Sequence, residues 1–371
     1  MNITVLCKIV DNFGDIGVVY RLVKRIKSIA PENKLHLIVD DLSVFNKICP
    51  LVNPERSFQT VNGIDVYKWN ENNLCYEEFR KKDGENMEII LECFQCGRPE
   101  WMEKILFEDK LSRTVNIIMI DYLTAEDYAE DFHCLKSLTR SAKVQKVNFM
   151  PGFTAKTGGL IIDSLWAEKC AWHKNGNLLF FCYDRNWSPA AKAINRCKKD
   201  GFIGEDLKVL VAQGKGKETI LSAFRSEDSC VKAEELPYLT QEEWDLVTRR
   251  CAVLFIRGEE SMSRACLSGI PFVWHAYPQS DEYQLVKMKA LLGQMKKYFT
   301  AAAYEIIERV WFDFNNPEEE VNPEDFENHI YDFVKNAEIL QPGYEAFAED
   351  LRKNGDLAEN LMTFIKKNYI I

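Results

Sequence analysis

Short apolar runs alternate with helically spaced apolar residues along this chain, and that alternation limits the fold more than any other feature of the sequence. Ile3–Val10 reads as a strand, and Ile16, Val19, Tyr20, Val23 and Ile26 follow at helical spacing. Leu35–Val39, Met87–Leu91 and Val115–Ile120 are further buried-strand candidates. Strands separated by helical segments predict crossover units and a mostly parallel sheet covered on both faces. Across "PGFTAKTGGLIIDSLWAEKCAWHKNG" (151–176) the texture changes to Pro, Gly and turn-forming residues, which reads as a passage between domains. The alternation then restarts with strands at Leu178–Tyr183, Leu207–Ala212, Cys251–Ile256 and Phe272–Tyr277, and helices at Pro189–Lys199 and Ser261–Ser268. Gly269 is placed to end the latter helix and Pro271 to start the next strand. The prediction is an α/β chain of two Rossmann-like lobes with a cleft between them, a nucleotide-binding architecture. Residues 1–172 and 173–354 form the lobes, and the helical pattern at about 355–371 packs back on the first. The acidic stretch "FDFNNPEEEVNPEDFENH" (312–329) reads as a solvated loop followed by a helix start.

With 371 residues the chain is long enough for two cores. Its formal charge of −10 disfavours nucleic acid and anionic lipid as partners, while leaving it able to attract a basic protein loop. No stretch approaches the roughly 20 apolar residues of a membrane span, and the N-terminus shows no secretory signal. A cytoplasmic monomer is expected. Of twelve cysteines, only Cys93 and Cys96 form a C-x-x-C, with no second pair at zinc spacing. Reduced, buried thiols are the expectation, with a redox or metal role for the pair as the alternative.

Ligands of open parallel sheets gather beyond the carboxyl ends of the strands. There, "VDNFGDIGVVYRL" (10–22) places Asp11 and Asp15 after the first strand and at the entrance of a helix, without the G-x-G-x-x-G dinucleotide fingerprint. Either aspartate could serve as a helix cap. Two of them flanking Gly14 favour a carboxylate that holds a nucleophile or takes its proton. In "FIRGEESMSRACLSGIPFVWHAYPQ" (255–279), a strand leads through Arg257 and Gly258 into a helix. Arg257 can clamp a diphosphate with its planar fork, and the amides of Glu260 and Ser261 can receive the anion. Glu259 then suits sugar or ribose hydroxyls, and a surface salt-bridge cluster is the alternative. No two aspartates are separated by one residue, so a departing diphosphate would rely on Arg257 and helix amides, without a metal.

Six segments in order carry a resemblance along almost the whole chain: "VDNFGDIGVVYRL", "DYLTAEDYAEDFHCLKSL" (121–138), "FMPGFTAKTGGLI" (149–161), "LFFCYD" (179–184), "LPYLTQEEWD" (236–245) and "RGEESMSRA…PFVWHAYPQ". The chain resembles the EarP family, the protein-arginine rhamnosyltransferases that modify translation elongation factor P. The resemblance implies a GT-B glycosyltransferase fold and an inverting, metal-independent transfer of rhamnose from dTDP-β-L-rhamnose to an arginine of elongation factor P. By position, Asp15 looks like the general base or guanidinium-orienting carboxylate, with Asp11 beside it, and Glu259 like a second essential carboxylate. Arg257, Glu260 and Ser261 look like diphosphate contacts, and Tyr277 and Gln241 like nucleotide-sugar contacts. Phe181 and Tyr183 resemble an aromatic wall for the thymine, with Trp244 on its other side, where Trp244 could equally be core. Glu260 stands where the family pattern has Asp.

Acceptor contacts are implied at Asn12, Phe13, Gly14, Asp121, Tyr122 and Glu126. For "DYLTAED" (121–127) the alternative is an ordinary helix N-terminus capped by Thr124, with acids in its first turn. Competing functions are a GT-B transferase with another nucleotide sugar or acceptor, and a non-catalytic scaffold that binds elongation factor P.

Overall fold

The computed structural model describes residues 1–10, 13–81, 88–109, 111–225, 229–279 and 281–369. The chain divides into two compact units, Met1–Asp163 with Asn354–Ile371, and Ser164–Lys353.

The first unit is built on an eight-stranded sheet. Its strands are β1 (Asn2–Cys7), β2 (Lys34–Val39), β3 (Phe58–Val61), β4 (Ile64–Lys68), β5 (Ile89–Cys93), β6 (Val115–Ile120), β7 (Lys136–Ser137) and β8 (Val144–Phe149). They lie in the order β3-β4-β2-β1-β5-β6-β8-β7, with antiparallel pairs only at the two edges, β3 with β4 and β7 with β8. The central strands are buried on both faces because their Ile, Val and Leu runs leave no polar side to turn to water. β1 ends at Cys7, short of the expected Val10, which is 77% exposed. β5 begins two residues later than expected and runs to Cys93; Met87 lies outside the described residues. The helix Leu357–Tyr369 puts Leu357, Ala358, Leu361, Met362 and Ile365 into the same core as Ile16, Val19 and Val23. Arg25 fastens it, donating to Asp356 Oδ2 at 2.9 Å and to Glu359 Oε1 at 2.7 Å.

The second unit carries a fully parallel five-stranded sheet, β9 (Asn177–Phe181), β10 (Lys208–Val211), β11 (Lys232–Glu235), β12 (Cys251–Arg257) and β13 (Phe272–His275), ordered β11-β10-β9-β12-β13. Tyr183 and Tyr277 therefore stand beyond their strands rather than within them. The stretch read as a loop from Phe312 is helical at first, because the helix Ala301–Asn315 buries Phe314 and Asn315. The next helix, Pro323–Lys335, begins behind an Asn322 cap. Gly269 ends the helix Glu259–Ser268 in the left-handed conformation, φ 68°, that its lack of a Cβ permits.

Among the parallel strands of each sheet the order reverses direction once, beside the first strand of the unit: between β1 and β5 in the first, and between β9 and β12 in the second. Crevices for ligands form beyond the carboxyl ends of the strands at such points.

Candidate active site

At the switch point of the first sheet, the loop after β1 leads into the helix Phe13–Ile29, whose first turn carries Asp15. The carboxylate is buried, with 2% of the residue exposed, and is held at both oxygens. The Val10 N–H donates to Oδ2 at 2.7 Å and the Tyr122 hydroxyl to Oδ1 at 3.3 Å. Tyr122 stacks on Phe94, which follows β5, with ring centroids 4.5 Å apart and planes 17° from parallel. Asp121 binds back onto the same loop, accepting from Gln95 Nε2 at 3.0 Å through Oδ2. The structure thus brings Asp15, Asp121 and Tyr122 together with the turn after β5. Phe13 and Gly14 are exposed at the start of the helix, with the Lys47 ammonium 5.6 Å from the Phe13 ring. Asp11 and Asn12 lie outside the described residues.

Thr124 caps no helix. The helix begins at Tyr128 behind Asp127, while the Thr124 hydroxyl donates to Glu126 Oε2 at 2.9 Å and receives the Glu126 N–H at 3.2 Å. A hydroxyl turned onto a residue two positions away is engaged in a local turn and is not available to the helix amides.

At the switch point of the second sheet, Arg257 closes β12 and lays its guanidinium over two rings of the segment that ends β9, 4.5 Å from Phe181 and 4.6 Å from Tyr183. Its Nε is buried without a hydrogen-bond partner. Desolvating a charged donor without a partner is costly, so this group suits an anion that brings its own acceptors. Tyr183 meets Tyr277 edge to face at 5.5 Å and His275 at 5.1 Å. His275 Nδ1 accepts the Tyr183 N–H at 3.3 Å, which leaves the ring proton on Nε2. Burial first, and then the Arg185 and Arg257 cations, hold His275 well below its ordinary pKa, so it packs as a neutral ring.

Phe181 and Trp244 meet edge to face, with centroids 5.2 Å apart and planes at 68°. The two rings therefore touch each other as one continuous wall and leave no slot between them for a base. Trp244 and Gln241 belong to the helix Gln241–Thr248, whose start is fixed by a capping box between Thr240 and Glu243.

Gly258 takes φ 76° and ψ 153°, a conformation open to glycine alone, and this turn carries the chain from Arg257 into the helix Glu259–Ser268. Gly258 at the N-cap has no side chain to offer that helix, and the amides of Glu260 and Ser261 lie in its first turn, at the positive end of the helix dipole. The Glu259 carboxylate accepts from Lys287 Nζ at 3.3 Å. Ser261 is buried.

The sequence reading overlooked the loop Gly214-Lys215-Gly216 between β10 and the helix Lys217–Phe224. A Cβ at Gly214 would lie 2.5 Å from Arg257 Nη2 and 3.4 Å from Phe181, and the Lys215 ammonium lies 5.8 Å from the Tyr277 ring. The G-x-G after an apolar strand was the available signal. Phe94, His275 and Lys287 carry no comparable mark in the sequence.

Cys93 and Cys96 are free thiols, as are the other ten cysteines. Burial raises Cys93 well above the ordinary range and pushes Cys96 up to about 12, the opposite of a reactive thiolate. Among the described residues no group of three or more His, Cys, Asp or Glu side chains is arranged to hold a metal ion.

The sequence model of the family described as "Elongation-Factor P (EF-P) rhamnosyltransferase EarP" matches residues 3–366. The chain belongs to the EarP family. It is accordingly a transferase. A protein-arginine rhamnosyltransferase of Shewanella oneidensis is 28% identical over 405 aligned residues, covering 98% of this chain and 97% of the relative. One of Pseudomonas aeruginosa is 26% identical over 341, covering 84% and 86%. A solved structure described as the basis for EarP-mediated arginine glycosylation of translation elongation factor EF-P superposes with a TM-score of 0.60 at 16% identity, covering 98% of both chains. A UDP-glucose:anthocyanidin 3-O-glucosyltransferase bound to UDP gives 0.51 at 11% identity, again over 98% of both. The two Rossmann-like units are those of a GT-B glycosyltransferase.

Proposed function

We propose that this chain transfers rhamnose from dTDP-β-L-rhamnose to one arginine side chain of elongation factor P, with inversion at the anomeric carbon and without a metal ion. The observation that carries this reading is the opposite charge of the two switch points. The first offers a buried carboxylate, Asp15, aligned by the Val10 N–H and the Tyr122 hydroxyl. The second offers a guanidinium, Arg257, resting on Phe181 and Tyr183 with a buried donor to spare.

A guanidinium is a poor nucleophile because its charge is delocalised and its pKa exceeds about 12. Asp15 holds it as an ion pair, aligns one nitrogen with the anomeric carbon and draws off the proton displaced as the N–C bond forms. The C–O bond to the β-phosphate breaks in the same step, and dTDP leaves with that electron pair. Arg257 and the first-turn amides of Glu260 and Ser261 stabilise the charge that collects on the diphosphate. Glu259, anchored by Lys287, serves the sugar hydroxyls, and Tyr183, Tyr277, Phe181, Trp244 and Gln241 surround the nucleotide sugar. Asp11 acts with Asp15 as a catalytic carboxylate, and Asn12, Phe13, Gly14, Asp121, Tyr122 and Glu126 contact the acceptor.

No helix among the described residues is long and apolar enough to cross a membrane. We place the enzyme in the cytoplasm, as a monomer that meets its acceptor there. The deciding experiment is intact-mass analysis of elongation factor P co-expressed with the chain. One added deoxyhexose on an arginine, retained when the purified reaction is run in EDTA, is the expected result. An unmodified acceptor sinks the assignment, and transfer that stops in EDTA and returns with a divalent ion sinks its metal-free form.

A further inference from the structure

β5 ends at Cys93, and both residues that follow it, Phe94 and Gln95, hold left-handed backbone conformations with φ of 57° and 53°. Side chains are sterically disfavoured there, and such a conformation persists only where the surroundings over-determine it. Three contacts do so. The Phe94 N–H donates to the Ile120 carbonyl at 2.7 Å, the Gln95 side chain donates through Nε2 to Asp121 Oδ2 at 3.0 Å, and the Phe94 ring stacks on Tyr122. The turn after β5 therefore grips Ile120 at the end of β6 and the two residues that follow it, and the last of the three carries the hydroxyl that reaches Asp15. Behind the turn, Arg98 pairs with both Glu92 and Glu103, closing its base. Backbone strain of this kind, placed at the switch point of the sheet, has no evident purpose in the core.

We infer that the Phe94-Gln95 turn is a positioning device: Phe94 fixes the plane of Tyr122 and, through its hydroxyl, the direction of the Asp15 carboxylate. The inference rests on the role proposed above for Asp15. Phe94 itself is a positioning residue and needs no contact with substrate.

The test is steady-state rhamnosylation of elongation factor P by Phe94→Leu, Phe94→Tyr and Gln95→Gly, with unfolding temperatures measured in parallel. Phe94→Leu keeps the apolar volume and loses the stacked plane. Its kcat is expected to fall on the order of tenfold with an unchanged KM for the nucleotide sugar, and Phe94→Tyr is expected to restore it. Gln95→Gly relieves the left-handed backbone, so its unfolding temperature should hold or rise while kcat falls. A turn that serves the fold alone would give that stability at no cost in turnover, and this result, or a wild-type kcat in Phe94→Leu, overturns the inference. Absence of transfer by the wild-type enzyme overturns the proposed function instead. The positioning is then read without turnover, from the 19F resonance of 3-fluorotyrosine at Tyr122, assigned with Tyr122→Phe. A resonance that moves in both Asp15→Asn and Phe94→Leu supports the coupling, and one indifferent to Phe94→Leu overturns it.

Discussion

A Cβ on Gly214 would lie 2.5 Å from Nη2 of Arg257, so the absence of a side chain at one position sets where the guanidinium of the other can rest. The φ of 146° at Gly214 adds to the intolerance. Gly214→Ala should push the Arg257 fork off the Phe181 and Tyr183 rings. The dissociation constant for dTDP-rhamnose, measured by calorimetry, is expected to rise by roughly tenfold, corresponding to about 1.4 kcal/mol. Arg257→Lys should weaken binding at least as much, because an ammonium neither stacks nor offers a two-pronged donor. Unchanged affinity in both variants would remove Arg257 from the donor site.

Asp15→Asn replaces two acceptor oxygens with one oxygen and an amide donor, while Val10 N–H and the Tyr122 hydroxyl still face the side chain. The charge that would hold a guanidinium is lost as well. Transfer measured by intact mass should cease while the dissociation constant for the nucleotide sugar stays near the wild-type value. Turnover at the wild-type rate would show that Asp15 has no part in the chemistry.

Gly258→Ala should cost about 1–3 kcal/mol of stability, since φ 76° with ψ 153° excludes a Cβ. If the backbone instead relaxes, Arg257 and Glu259 are re-aimed together. Chemical denaturation and donor titration of the same variant separate the two, and a variant unaltered in both would contradict the conformation of this turn.

His36 is fully buried among Tyr67 and Phe79, with no hydrogen-bond partner at either ring nitrogen. Burial is the main cause that lowers its pKa from 6.5 to about 4, with Lys34 adding to it and Asp65 and Glu78 opposing. Because the folded-state value is the lower one, the unfolded chain takes up the proton first as pH falls. The stability due to neutral His36 is complete above about pH 6.5 and is lost between there and about pH 4, a loss of roughly 3 kcal/mol. His36→Leu should flatten the fall of the urea midpoint over that window. Parallel midpoint curves for variant and wild type would exclude His36 as the cause.

How much of this was readable in advance depended on whether the deciding contact was local. The central strands showed themselves because two-sided burial demands unbroken apolar runs, and Arg257-Gly258-Glu259 stood out because strand, glycine and helix follow one another within a few residues. The hairpin of β3 and β4 was passed over although Asn62-Gly63, with φ of 51° and 72°, is its ordinary turn signal. β11, with the sequence Lys-Ala-Glu-Glu, lies at an edge where no apolar pattern is required. The bond from Tyr122 to Asp15 spans 107 residues, and the left-handed Phe94-Gln95 pair contains none of the residue types that announce such a turn. Both exist only once β1, β5 and β6 lie side by side.

The helix Leu357–Tyr369 fills the core of a unit whose other residues end at Asp163. On the ribosome, the module translated first is therefore the last to be completed. Its sheet waits with the surface meant for Leu361 and Ile365 uncovered until some 190 further residues have emerged, a number set by the length of Ser164–Lys353. Truncation of only the final helix should accordingly injure the beginning of the protein, leaving an N-terminal module prone to aggregate beside a second module that can still close its own core.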